Sequence, residues 1–192
     1  MAVPDVPESS MSQLFRSDAA RLALLVALVV IAALTRLMPG RPPNFSPIEA
    51  MALFAGAVFA SRYVAVLVPL AAMLISDAII GLHAGMWLVY GCMAVIALAG
   101  TRLAGRISAL RVVGYGLGSA VFFFVVTNFA VWAGAADHPN PMYTPDLRGL
   151  INCYVAAIPF FRNQIAGVLV YSAVLFGAHA LMTRRVTQAS AA

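Results

Sequence analysis

The sequence predicts an all-α polytopic membrane protein with six transmembrane helices and one short re-entrant or interfacial helix. Two observations carry the class. Of 192 residues, 62% are hydrophobic and 10% charged, whereas a soluble domain is about half apolar and about a quarter charged. The apolar residues also fall in runs long enough to cross a bilayer, separated by short polar joints. All twelve cationic residues are arginine. With no lysine-rich face or basic domain, the net charge of +5 reads as a topology signal and not as nucleic-acid binding.

Residues 1–20 hold Pro4, Asp5, Pro7 and Glu8 and read as a loose cytoplasmic tail. The first helix is expected over 21–38; it ends in Arg36-Leu37-Met38-Pro39 without a small-x-small cleavage site, so it is retained. Residues 47–82 are apolar except at Ser61-Arg62-Tyr63. A single helix of that length would span ~54 Å, so two are expected, over 47–61 and 63–81. The first of these reaches only ~22 Å, which sinks its start below the membrane surface. Helix 4 is expected over 86–104 and helix 5 over 111–133. The polar connection 134–148, with Asp137 and His138, leads to an apolar stretch at 149–161 too short to span, the predicted re-entrant helix. The last span runs over 163–182 and a short cytoplasmic tail follows at 184–192, leaving one membrane domain over 21–183.

Six spans place both termini on one side. With the N-terminus cytoplasmic, Arg16, Arg21, Arg62, Arg102, Arg106, Arg111, Arg184 and Arg185 lie inside and Arg36, Arg41, Arg148 and Arg162 outside. The positive-inside rule therefore predicts N-in, C-in. The outer joints, 39–46, 82–85 and 134–162, hold nearly all the non-arginine polar residues.

Candidate site residues concentrate there. Pro47 suits a first helical turn, Ser46 an N-cap and Glu49 the positive helix end; Asn44 and Phe45 precede the cap and are free to meet a ligand. Asp77 is an intramembrane carboxylate, which marks either a function or a local ion pair with Arg36 or Arg162. His83 sits in the next turn, and Tyr90 follows Trp87 at the same mouth, where Trp87 and Trp132 also fit an interfacial aromatic belt. Asn128 needs a hydrogen-bond partner, from a helix or from substrate. Arg162 either holds an anionic group or snorkels to headgroups. Gly114 and Gly118 are expected to form a close-packing helix face. Cys92 and Cys153 read as buried free thiols. No GxSxG, HExxH or metal-ligand cluster is present, so neither catalytic nor metal residues are assigned and the chain is read as a non-enzyme.

Five segments carry a resemblance: Arg36-Leu37-x-Pro39 through Pro43-Asn44-Phe45-Ser46-Pro47-Ile48-x-Ala50; Ser76-Asp77 to Gly81-x-His83; Thr127-Asn128-Phe129-x-Val131-Trp132; Gly149-Leu150-x-x-Cys153-Tyr154; and Ala157-Ile158-Pro159-Phe160-Phe161-x-Asn163. Over about 36–180 the chain resembles an uncharacterised bacterial integral-membrane family of candidate transport proteins with an NF[ST]P motif. That family is similar to the S-components of energy-coupling-factor vitamin transporters. The resemblance implies capture of a small organic solute, a vitamin or precursor, at the extracytoplasmic face, and adds Tyr154 and Asn163 to the expected solute contacts. It also implies a coupling transmembrane subunit with ATPases as partner, met through small residues at Ala23 and Ala27. Relatives open the last helix with Gly-Asp where this chain has Gly167-Val168. A distant solitary cobalamin transporter of this type uses a cysteine thiolate on cobalt; Cys92 is the residue that would imitate it, so a cobalamin-type ligand is carried as an extension and no cofactor is otherwise expected. The competing readings are a membrane-embedded enzyme and a structural subunit in which Asp77 and Asn128 pair only with each other.

Overall fold

A computed structural model describes residues 18–83, 85–135 and 141–189, with side chains over 23–83, 85–135 and 141–183. The expected N-terminal tail up to residue 17, Asp137, His138 and the side chains of Arg16, Arg21, Arg184 and Arg185 lie outside the described residues. Six helices follow in order: α1 (Asp18–Leu37), α2 (Ile48–Val58), α3 (Arg62–Ile80), α4 (Met86–Gly100, continued by a 3-10 turn at Thr101–Leu103), α5 (Ala109–Ala135) and α6 (Leu147–Ala189). The described residues contain no strand.

Four of these elements are long and apolar enough to cross a membrane: Arg62–Ile80, Met86–Leu103, Ala109–Ala135 and Leu147–Thr183. The apolar parts of α1 and α2, Ala23–Leu37 and Ile48–Val58, are shorter. Leu67, Leu74, Val121 and Val174 stay exposed on the outside of the bundle, as side chains that face lipid do. The chain is thus a multi-pass helical membrane protein.

The helix α2 is its centre. Its sequence, Ile-Glu-Ala-Met-Ala-Leu-Phe-Ala-Gly-Ala-Val, has no polar stripe, and a helix apolar all round is buried all round. Every residue from Ile48 to Ala57 is buried. Close approach to α4 rests on glycine at two facing positions: a Cβ at Gly56 would overlap the Ala97 carbonyl, and one at Gly100 the Leu53 carbonyl. These, and not Gly114 and Gly118, form the close-packing pair. A Cβ at Gly114 or Gly118 would meet nothing within 4 Å, and it is Gly116 between them that packs on Val168, 3.7 Å away.

Two further expectations change. The stretch 149–161 is no separate re-entrant element but the first part of α6, which runs through Pro159 for 43 residues. Proline removes one N–H, yet the ring of Phe124 holds both sides of the break: it packs on Tyr154 (5.5 Å) and stacks on Phe161 (4.4 Å). Tolerance of proline where neighbouring helices support the backbone is common in membrane helices. The second change concerns depth. α5 and α6 form an antiparallel hairpin, tied at Cys153 to the Asn128 carbonyl and at Tyr154 to the Val125 carbonyl. Gln164 of α6 meets Glu49 in the first turn of α2. Seventeen residues of α6 precede Gln164, so the hairpin continues for roughly 25 Å past the start of α2.

Candidate functional site

Where α2 begins, all six helices converge on a cavity of about 230 Å³. α1 contributes Arg36; the α1–α2 connection Arg41, Asn44 and Ser46; α2 Ile48 and Glu49; α3 Met73; α4 Val89 and Met93; α5 Phe123; and α6 Gln164. The shortness of α2 makes this space, because the neighbouring helices continue beyond its first turn.

The connecting loop is held in place from several sides. Asn44 has φ +62°, the left-handed region that asparagine tolerates better than most residues. The Phe45 amide donates to the Pro42 carbonyl (3.1 Å) and the Phe45 carbonyl accepts from Arg41 Nη1 (2.5 Å). Asn163 Nδ2 donates to the Pro43 carbonyl (3.0 Å). Gly167 lets the loop lie on α6: a Cβ there would stand 3.0 Å from Ser46 N and 3.3 Å from Phe45 Cα. Beside it, Val168 is buried with Ala50 and Ala120, an apolar contact between α2, α5 and α6.

Capping differs from expectation. Pro47 occupies the N-cap position of α2 and no side chain caps the helix; Ser46 Oγ accepts only a long bond from Ile48 N, 3.4 Å. Glu49 is not spent on the helix end. Its Oε1 accepts from Gln164 Nε2 (2.6 Å), which also donates to the Ala120 carbonyl (3.3 Å).

The intramembrane carboxylate Asp77 is 2% exposed and takes the local partner that its sequence position allows. Arg36 Nη2 lies 2.6 Å from Oδ1, and the Tyr90 hydroxyl donates to Oδ2 at 2.8 Å. This network ties α1, α3 and α4 together, and it presents Arg36 to the cavity while Asp77 and Tyr90 stand behind it.

Three of the lining residues retain unused polar atoms. Arg36 Nη1, Arg41 Nε and Glu49 Oε2 are buried with no hydrogen-bond partner among the described residues. Buried polar groups are paired in the great majority of cases, so three orphans around one cavity describe a site built to receive polar groups.

Among the expected contacts, Asn44 and Glu49 line the cavity, and Asp77 and Tyr90 act through Arg36. Phe45 turns its ring to Tyr171, with centroids 5.5 Å apart, and Asn163 fixes the loop instead of lining the space. The remaining residues are elsewhere. His83 is exposed in the α3–α4 turn, where its carbonyl accepts from Met86 N, and Arg162 is exposed on α6. Asn128, Trp132 and Tyr154 sit on the overhanging hairpin: Asn128 bonds to the Phe124 carbonyl, Trp132 Nε1 to the Thr144 carbonyl and the Tyr154 hydroxyl to the Val125 carbonyl. Asn128 packs beside Cys153, eleven residues before Gln164 and therefore roughly 16 Å up the hairpin; it makes no pair with Asp77. Ala23 and Ala27 are exposed on the outer face of α1. Cys92 is buried in the main core cluster. No group of three His, Cys, Asp or Glu is placed to hold a metal among the described residues. Arg41 and Gln164, which sequence reasoning left out of the site, are part of it.

No curated protein and no solved structure matches the chain. A match over residues 16–190 to a family of unknown function (DUF6580) covers nearly the whole polypeptide, and this helical membrane protein belongs to that family.

Proposed function

We propose that the protein is a solute-binding membrane subunit or a solitary transporter for uptake of a small organic molecule, with its pocket toward the extracytoplasmic face of a bacterial inner membrane. One observation carries this reading: a cavity walled by all six helices and lined by charged side chains that each keep a buried, unpartnered polar atom. A site between helices with a few placed polar groups in an apolar wall is the usual form of a small-molecule site. The arginine distribution supports cytoplasmic termini. The exposed α1 face around Ala23 and Ala27 offers small residues to a coupling transmembrane subunit with ATPases; the sequence contains no P-loop of its own. A volume of 230 Å³ favours a vitamin precursor or smaller molecule over a cobalamin-type ligand.

The purely structural alternative draws on the Arg36–Asp77–Tyr90 network, which joins three helices whether or not a ligand binds. Uptake measurements in a complemented strain separate the two. Under the transport reading, Glu49→Leu and Arg41→Leu abolish solute accumulation while the protein still inserts at normal levels; under the structural reading, accumulation is unaffected.

A further inference from the structure

From the charge layout of the cavity we infer its ligand class: a compact zwitterion of the amino-acid type, with an anionic group on the two arginines, an ammonium on Glu49 and a short hydrocarbon remainder. The inference rests on the solute-binding reading and makes it specific.

Charge balance comes first. Arg36 is neutralised by Asp77, its partner at 2.6 Å. Arg41 has the neutral Phe45 carbonyl as partner, and Glu49 the neutral Gln164 amide and Ser119 hydroxyl. The site thus keeps one uncompensated cation and one uncompensated anion, each with a buried atom still unpartnered. A carboxylate ligand alone would leave Glu49 Oε2 unpartnered, and an amine alone would leave the arginine N–H groups so. A neutral polar ligand would leave the buried Glu49 carboxylate without a counter-charge. A ligand with both charges satisfies all three atoms, Arg36 Nη1 and Arg41 Nε donating and Glu49 Oε2 accepting.

Size and wall chemistry narrow it further. The 230 Å³ space holds the volume of about eight water molecules, below the range of drug-sized sites. Ile48, Met73, Val89, Met93 and Phe123 supply the apolar part of the lining, which suits an aliphatic remainder.

The test uses the full-length protein in lipid nanodiscs. Thermal shift and isothermal titration are run with the twenty standard amino acids, β-alanine and 4-aminobutyrate, then with the deaminated and decarboxylated analogues of the best binder. A neutral sugar and a nucleoside serve as further probes. The expected result is saturable binding of at least one apolar amino acid, with each single-charge analogue weaker by on the order of tenfold or more, as for sites that leave buried polar groups unpaired. Glu49→Gln should bring the amino acid and its deaminated analogue to similar affinity, and Arg41→Gln should do the same for the amino acid and its decarboxylated analogue. The wild-type ligand series decides the question if either variant fails to fold. Binding confined to a single-charge or neutral solute overturns the zwitterion assignment and leaves solute binding standing. If no probe binds and native mass spectrometry finds no co-purifying small molecule, both fall.

Discussion

The Arg36–Asp77 pair gives the sharpest stability prediction. Its partners are close, 2.6 Å apart, and shielded: the Arg36 side chain is 17% exposed and that of Asp77 3%. Removing one member of a buried pair leaves an uncompensated charge and costs about 3–5 kcal/mol. Arg36→Met should fall at the upper end, because Asp77 then keeps only the Tyr90 hydroxyl. Asp77→Leu should fall nearer 3 kcal/mol, because the arginine can reorient toward its exposed edge. The double variant replaces an ion pair with apolar groups, an exchange that is commonly neutral or better; its residual cost, about 1–3 kcal/mol, is the orphaned Tyr90 hydroxyl. Tyr90→Phe added to the double variant should recover that part. In thermal unfolding followed by circular dichroism in nanodiscs, each single variant should melt about 10 °C below wild type, with the double variant recovering most of the loss. Single losses that simply add in the double variant would refute the coupling, and so would an Asp77→Leu cost under about 1 kcal/mol.

Other perturbations separate the packing claims. Gly56→Val and Gly100→Val place side-chain atoms into facing backbone and should abolish the monodisperse folded peak in fluorescence-detected size exclusion, whereas Gly114→Ala and Gly118→Ala enter open space and should change stability by less than about 1 kcal/mol. Gly167→Val should push the Asn44–Ser46 loop off α6 and weaken solute binding more than it lowers melting temperature. At the start of α6, Asp146 Oδ1 accepts from Gly149 N (2.7 Å) and Thr144 Oγ1 (2.8 Å), and the Gly149 amide, with that hydroxyl, holds its carboxyl below the ordinary aspartate range. A lowered folded value means the cap's contribution is present above the usual aspartate pKa and is lost as pH falls through the depressed one. The Gly149 amide resonance should therefore stay constant from pH 7 to 5 and move only in stronger acid, and Asp146→Ala should remove that transition.

Much of the helical order was legible in the chain because bilayer length and apolar runs constrain it. α3 and α5 begin and end within two residues of the expected limits, as does α4 once its 3-10 turn is included, and the brevity of α2 follows from dividing 47–82 between two helices. Depth along the membrane was not legible. α5 and α6 overshoot the start of α2, and most of the joint expected over 134–162 is the first part of α6. Asn128, Trp132 and Tyr154 are thereby carried away from a cavity that equal-length helices would have let them face. Pro159 signals a break by its chemistry, and only the rings of Tyr154 and Phe161 on Phe124 explain why none occurs. Gly114-x-Gly116-x-Gly118 offers three glycines but not which one meets a neighbour. Arg41 counts in sequence only toward the outer charge tally. Gln164 carries a usable signal, an amide in an apolar run that must find a partner, but its proximity to Glu49, 115 positions away, is a product of tertiary structure.

Solute binding requires that the cavity at the start of α2 be occupied. Native mass spectrometry of the protein released gently from its own membrane measures this, alongside Glu49→Leu as control. The account predicts a small polar molecule bound one to one, present in wild type and missing from the variant. A wild-type protein that carries only lipid, or a molecule retained equally by Glu49→Leu, would contradict it.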